Sequence, residues 1–263
     1  MARPAGLLGA ALAACDTLDR FDLTLPAAAA PGPPPLYYPY PPIPPAGFAG
    51  HQRLAEQAKG YFVQVRIFAP GSRPDAFGRL PGEALIQAAS GTLVDAAGQV
   101  VTAAHIAKGR DFTAEVETAD GASHLARIVR LDRRQDLALL RVPTLANASP
   151  PARRASPPRA GEGVLVLGAP NDRPIAVSVG VVRRVALADR IAYPPFGFDR
   201  GIELSIEITQ GYSGGPLLDH NGALIGMIAA VGESASTAPD APSPRLGYAV
   251  PAASIWRFLA AGP

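Results

Sequence analysis

Beyond residue 60 the apolar residues come in short stretches, some alternating with polar residues and some continuous, and glycine, proline or asparagine breaks each one. Tyr61–Phe68 (YFVQVRIF) is rich in aromatic and β-branched residues and predicts a strand. Residues 69–82 read as a Gly/Pro loop. Strands are predicted next over Ala84–Val94, Val100–Ala104, Phe112–Glu117, His124–Arg130 and Leu137–Val142. Residues 143–160, rich in Pro, Ala and Arg, read as a linker between lobes. A second set follows at Gly163–Gly168, Ile175–Arg183, Ile202–Ile208, Leu217–Asp219, Ala223–Val231 and Tyr248–Val250. Asn221-Gly222 signals a tight hairpin. Helical signals are confined to a weak pattern over His51–Lys59 and a short helix at Ser254–Leu259, after Pro251. Many short strands with almost no long helical period predict an all-β protein of barrels or sandwiches, and the pattern alone does not choose between them.

The segment before residue 51 is patterned differently. Residues 1–15 read MARPAGLLGAALAAC, with Arg3 as a charged start and an apolar run of small residues behind it. That is the layout of a secretory signal, too short for a permanent span. Leu12-Ala13-Ala14-Cys15 resembles the lipobox of bacterial lipoproteins, in which the cysteine becomes the lipidated first residue. Cys15 is the one cysteine of the chain, so lipidation at Cys15 is expected, anchoring the protein to a membrane from outside the cytoplasm. Asp16 resembles an inner-membrane retention signal, which leaves which membrane open. The alternative is an ordinary signal that is lost, or an Ala-rich tail. Residues 16–50 read as a Pro/Ala-rich stalk, with PAAAAPGPPPLYYPYPPIPPAGFAG over 26–50. Proline fixes φ and removes donors, so an extended spacer is expected. Tyr37, Tyr38 and Tyr40 leave a ligand for a proline-binding domain as the alternative.

Composition narrows the chemistry. Apolar residues make up 48% of the chain, enough for a sizeable core. The net charge of +2, with no long basic run, gives no reason to expect a nucleic-acid partner. Lysine occurs only at Lys59 and Lys108, a bias from which no function follows. One cysteine excludes an internal disulfide and a cysteine metal cluster. His51, His105, His124 and His220 lack metal-ligand spacing, so neither a metal nor a cofactor is expected. No apolar run approaches the about 18 residues of a membrane span.

Three short segments carry candidate chemistry. Residues 211–216 read Gly-Tyr-Ser-Gly-Gly-Pro. A serine hydroxyl needs a base within reach and donors for an oxyanion. Flanking glycines let the backbone turn sharply and aim its N–H groups at one point. The plain alternative is a glycine-rich loop with an incidental serine. His105 closes the run VTAAH, and a histidine ending an apolar strand is more often structural, although its neutral pKa suits a base. Asp136 opens the apolar run DLALL; its buried carboxylate would need a partner, either an imidazole or Arg133 or Arg134. Asp132 is a rival that sits among arginines in a turn, so Asp136 is preferred.

Taken together, ASGTLVDAAGQVVTAAHIAKG, RRQDLALLRV, VLVLGAP with SVGVVRRV, GYSGGPLLDHNGALIGMIAA and LGYAVP resemble the chymotrypsin-like serine protease superfamily, and within it the bacterial HtrA (Deg) proteases. The resemblance covers about residues 61–258 in the family's order. It implies two six-stranded β-barrels, the first about 60–143 and the second about 160–250, with a terminal helix at 251–260. Residues 51–263 would be the protease domain, with its site in the cleft between the barrels. Ser213 would be the nucleophile, His105 the general base and then acid, and Asp136 the orienter. The N–H groups of Gly211 and Ser213 would form the oxyanion hole. Ile208 and the strand segment Ala229, Ala230 and Val231 would bind the substrate, which adds as a further strand. An apolar pocket beside Ile208 favours medium apolar side chains; a shifted register would instead bring in Glu207 and favour Arg or Lys.

The resemblance further implies unfolded or flexible protein substrates in an extracytoplasmic, periplasmic setting, and leaves an oligomer open. HtrA proteins carry PDZ domains after the protease; with Pro263 a few residues past the last helix, none is expected here. Two departures stand out: IELSIEITQ before the nucleophile lacks the usual Thr-Asp-Ala pattern, and Tyr212 replaces the common Asn. The rival functions are a catalytically weak or inactive relative that only binds peptides, and an esterase using the same machinery.

Overall fold

Alternation of inward and outward side chains lets a strand serve a closed barrel, because only one face must be apolar. The computed structural model describes residues 12–14, 51–76, 78–146, 148–154, 156–170, 174–233 and 245–262. The expected lipidation site Cys15, the stalk 16–50 and the start of the expected signal lie outside them. A short helix, α1 (His51–Ala58), precedes the first barrel. That barrel comprises β2 (Phe62–Phe68), β3 (Leu85–Leu93), β4 (Gln99–Thr102), β5 (Thr113–Thr118), β6 (Ser123–Asp132) and β7 (Leu137–Arg141), following β1 (Leu12–Ala14), which belongs elsewhere. They close antiparallel in the order β2-β3-β4-β7-β6-β5.

The second barrel comprises β8 (Gly163–Gly168), β9 (Ala176–Arg184), β12 (Ile202–Ile206), β13 (Pro216–Leu218), β14 (Leu224–Glu233) and β15 (Arg245–Pro251). The order β14-β13-β8-β9-β12-β15 closes through the pairing of β14 with β15. A two-stranded hairpin, β10 (Ile191–Tyr193) with β11 (Phe196–Phe198), stands apart from both barrels. Helix α3 (Ala252–Ala260) closes the described chain. The expected fold of two six-stranded barrels with a short C-terminal helix is therefore the observed one.

One continuous apolar cluster runs from Val65, Val100 and Leu140 in the first barrel to Leu165, Leu218 and Val250 in the second. A second cluster, including Val164, Leu204 and Ile228, fills the interior of the second barrel. The barrels thus share an apolar seam, and the site lies on it.

The structure corrects the sequence reading at one point and adds to it at two others. His105 does not end a strand: β4 stops at Thr102, and His105 lies in a helical turn, α2 (Ala104–Ala107). That turn is too short to have a helical period of its own. Residues 191–198, unassigned in the sequence, form a hairpin. Leu12–Ala14, inside the expected signal segment, forms a strand paired with β14.

Candidate active site

The site begins with Asp136, at the turn between β6 and β7. Its backbone has φ of +48°, a left-handed conformation that aspartate tolerates better than most residues. The conformation lets both its carbonyl and its carboxylate face the start of α2. Ala104 N–H donates to the Asp136 carbonyl (3.2 Å), and His105 N–H donates to Asp136 Oδ1 (2.9 Å). The His105 ring then meets the same carboxylate, Nδ1 lying 2.8 Å from Asp136 Oδ2. On its other side His105 Nε2 lies 3.2 Å from Ser213 Oγ. Asp136, His105 and Ser213 are 0%, 3% and 0% exposed, so this chain of contacts is shielded from water. The rival Asp132 is elsewhere: its Oδ1 accepts from Arg134 N–H and Gln135 N–H and shapes the turn.

Ser213 sits in a loop built on glycine. Gly211 and Gly214 have φ of +97° and +87°. A Cβ on Gly214 would lie 1.9 Å from the Ser90 carbonyl oxygen, so no other residue fits. Among the described residues, the N–H groups of Gly211 and Ser213 have no hydrogen-bond partner, while Tyr212 N–H donates to Thr209 O and Gly214 N–H to Ile228 O. The two free donors are the serine's own N–H and that of the glycine two residues before it.

Residues of the first barrel that sequence reasoning passed over hold this loop in place. Ser90 N–H donates to the Ser213 carbonyl (2.9 Å), and Ser90 Oγ donates to the Gly211 carbonyl (2.7 Å) while accepting from Ala169 N–H (3.0 Å). Thr92 Oγ1 donates to the Gly214 carbonyl (3.2 Å), and Thr102 Oγ1 to the Ser90 carbonyl (2.7 Å). Polar residues in the buried ends of β3 and β4 were the signal. Tyr212 lays its ring on Gly168, where a Cβ would stand 2.4 Å from it, and its hydroxyl meets Ser178 Oγ at 3.0 Å. Tyr193 was also missed; its hydroxyl donates to Asp136 Oδ2.

Ile208 is buried and Glu207 is exposed, so the two neighbours face opposite ways. Gly247 of β15 faces Ile208: a Cβ there would lie 2.9 Å from both Ile206 Cγ2 and Ile208 Cδ1. Ala229 and Ala230 are buried on β14, and Val231 is partly so. Past Met227 the β13 side of β14 has no barrel strand, and Leu12–Ala14 pairs there antiparallel, Ala14 opposite Ala230 and Leu12 opposite Gly232. The same edge runs on through Ala229 to Ile228, whose carbonyl binds Gly214 N–H beside Ser213. Among the described residues no group of His, Cys, Asp and Glu has the arrangement of a metal site. No helix among them is long and apolar enough to cross a membrane.

Known proteins resemble this chain in sequence and in fold. Residues 89–227, more than half of the chain, match the trypsin-like peptidase domain family. The periplasmic serine endoprotease DegP of Salmonella typhimurium is 30% identical over 164 residues, 62% of this chain and 33% of that protein. Serine protease HTR4 of Bos taurus is 30% identical over 178 residues, 66% of this chain and 35% of that protein. The chain thus spans about a third of the length of these relatives. The crystal structure of an inactive form of the Rv3671c protease, from M. tuberculosis, superposes with a TM-score of 0.61 at 23% identity, over 85% of this chain and 98% of that one. That likeness is one of fold. This chain belongs to the trypsin-like peptidase domain family, with HtrA-type serine proteases among its relatives.

Proposed function

We propose that this protein is a serine endopeptidase that cleaves extracytoplasmic proteins through an acyl-enzyme intermediate. One observation carries the reading: the buried, unbroken series Asp136–His105–Ser213 ends beside two unpaired backbone donors. In this mechanism His105 Nε2 takes the Ser213 hydroxyl proton as Oγ attacks the scissile carbonyl carbon. The carbonyl oxygen, now negative, is received by the N–H groups of Gly211 and Ser213. Asp136 holds Nδ1–H, keeping the ring in the right tautomer and balancing the imidazolium charge. His105 returns the proton to the leaving amine, and water repeats the sequence to release the acyl group.

The substrate adds as an antiparallel strand to Ala229–Val231 of β14, running towards Ser213. The pairing of Leu12–Ala14 supports this, since that edge accepts an extended chain. The side chain before the scissile bond enters a pocket bounded by Ile208 and Gly247, which favours Val, Ala, Ile or Leu. A charge there would lack a partner, and exposed Glu207 faces away. DegP, the relative named as periplasmic, supports the setting, and lipidation at Cys15 would tether the enzyme there.

The test is labelling with a fluorophosphonate probe, followed by casein digestion. Wild-type protein is expected to label and to cut after medium apolar residues. Ser213→Ala should fold, lose the label and lose about 10⁶-fold in kcat. Peptide binding without label or cleavage would make the chain a binding relative. Dominant cuts after Arg or Lys, abolished by Glu207→Ala, would move the specificity to Glu207.

A further inference from the structure

A carboxylate that orients a histidine is useful in only one rotation about its own side-chain bond. Asp136 has two oxygens, and Oδ1 is already fixed by the His105 N–H. That bond alone leaves the plane of the group free to tilt. The second oxygen, Oδ2, receives two donors: His105 Nδ1 at 2.8 Å and the Tyr193 hydroxyl at 2.5 Å. Among the described residues these three hydrogen bonds complete the carboxylate's partners. With Tyr193 occupying one lone pair of Oδ2, the other is directed at the imidazole.

The tyrosine reaches this position on the β10–β11 hairpin, which belongs to neither barrel. Its ring stands edge-on to the His105 ring, with centroids 5.7 Å apart and planes at 87°. Phe196, its partner across the hairpin, meets the same imidazole at 6.1 Å and 66°. Tyr193 also packs against Phe198, which is fully buried. Aromatic edges exclude water from the pair without offering it a competing hydrogen bond. The hairpin is fastened at its base by Asp199, which accepts from Arg190 Nη1 (2.9 Å) and from Gln135 Nε2 (2.9 Å). Gln135 precedes Asp136 in sequence, so this clasp ties the hairpin to the turn that presents the carboxylate.

We infer that Tyr193 is a positioning residue of the catalytic centre, and that the β10–β11 hairpin is the element that delivers it. Tyr193 keeps its proton throughout and exchanges none with substrate. It acts through Asp136, holding the carboxylate in the plane that His105 requires. The inference rests on the proposed serine peptidase reading.

Tyr193→Phe in the full chain removes one oxygen and leaves the ring contacts in place. The rate of fluorophosphonate labelling and kcat on casein are expected to fall about tenfold, the effect of one hydrogen bond to a charged group. KM should stay within about twofold, because the residue does not touch substrate. The low-field proton resonance of His105 Nδ1–H, which reports the bond to Asp136, should shift or broaden. A folded Tyr193→Phe protein with wild-type kcat and an unmoved resonance would overturn the inference. If wild-type protein fails to label, the peptidase reading falls; the resonance in the two proteins still decides whether Tyr193 holds Asp136. Urea unfolding of both proteins separates a loss of fold from a loss of position.

Discussion

The Ser90 hydroxyl belongs to the first barrel, and its two partners, Gly211 and Ala169, belong to loops of the second. Replacing Ser90 by alanine leaves Gly211 C=O and Ala169 N–H without their buried partner. Ser90→Ala is expected to cost about 1–3 kcal/mol in urea unfolding. It should slow fluorophosphonate labelling as well, because the donors beside Ser213 lose their support; an unchanged labelling rate would show that the loop holds itself. The sequence made the proposed catalytic residues legible and their supports much less so. Ser213 and Asp136 stand out because each breaks a local rule, a serine among glycines and a carboxylate opening an apolar strand. Ser90 and Tyr193 break none: a serine in a strand and a tyrosine near Pro194 and Pro195 are ordinary until the fold brings them to a partner far along the chain.

The elements were legible in proportion to how much of their pattern is local. β2, β8 and β14 bury most of their length and read as apolar runs. The β10–β11 hairpin spans IAYPPFGF, whose paired prolines read as a loop breaker, and its three-residue strands give the alternation no room to repeat. The segment between the barrels, read as a linker, is fixed by charge. Arg154 forms an ion pair with Glu162, ahead of β8, and reaches Asp219 at the end of β13 (3.3 Å). Burial pushes the Glu162 carboxyl up, but the hydrogen bond from Arg154 and that from Arg159 N–H reverse this, leaving it below its ordinary 4.5. A depressed carboxyl stabilises the fold above its unfolded pKa and loses that contribution as pH falls through its folded one. The urea midpoint of Glu162→Gln should therefore lie below wild type at neutral pH, and the gap should close as the solution is acidified below 4.5. A gap that persists at low pH would assign the effect to packing. Burial, with the charge of Asp219 added, also pushes the Tyr61 phenol up to about 12, so Tyr61 stays a neutral donor to Gly222 O across the seam.

Because one apolar cluster joins the two barrels, they are expected to unfold as one unit. Trp256, the single tryptophan, packs against that cluster from α3, with the Arg153 guanidinium over its ring at 4.1 Å. Its fluorescence and far-ultraviolet circular dichroism are expected to follow the same urea transition; separated transitions would mean that the barrels unfold independently. The whole molecule also carries its own occupant of the β14 edge. A strand supplied by the same polypeptide competes with any incoming peptide as an intramolecular ligand, at an effective concentration set by the segment that links it to residue 51. Protein beginning at residue 51 should therefore show a lower KM for casein than protein carrying Leu12–Ala14, with kcat unchanged; equal KM values would mean that the strand does not guard the edge. Cleavage between Ala14 and Cys15, which would leave Cys15 as the lipidated first residue, would sever that tether. Processing and unblocking would then be one event, and the enzyme would stay occupied until it was cut.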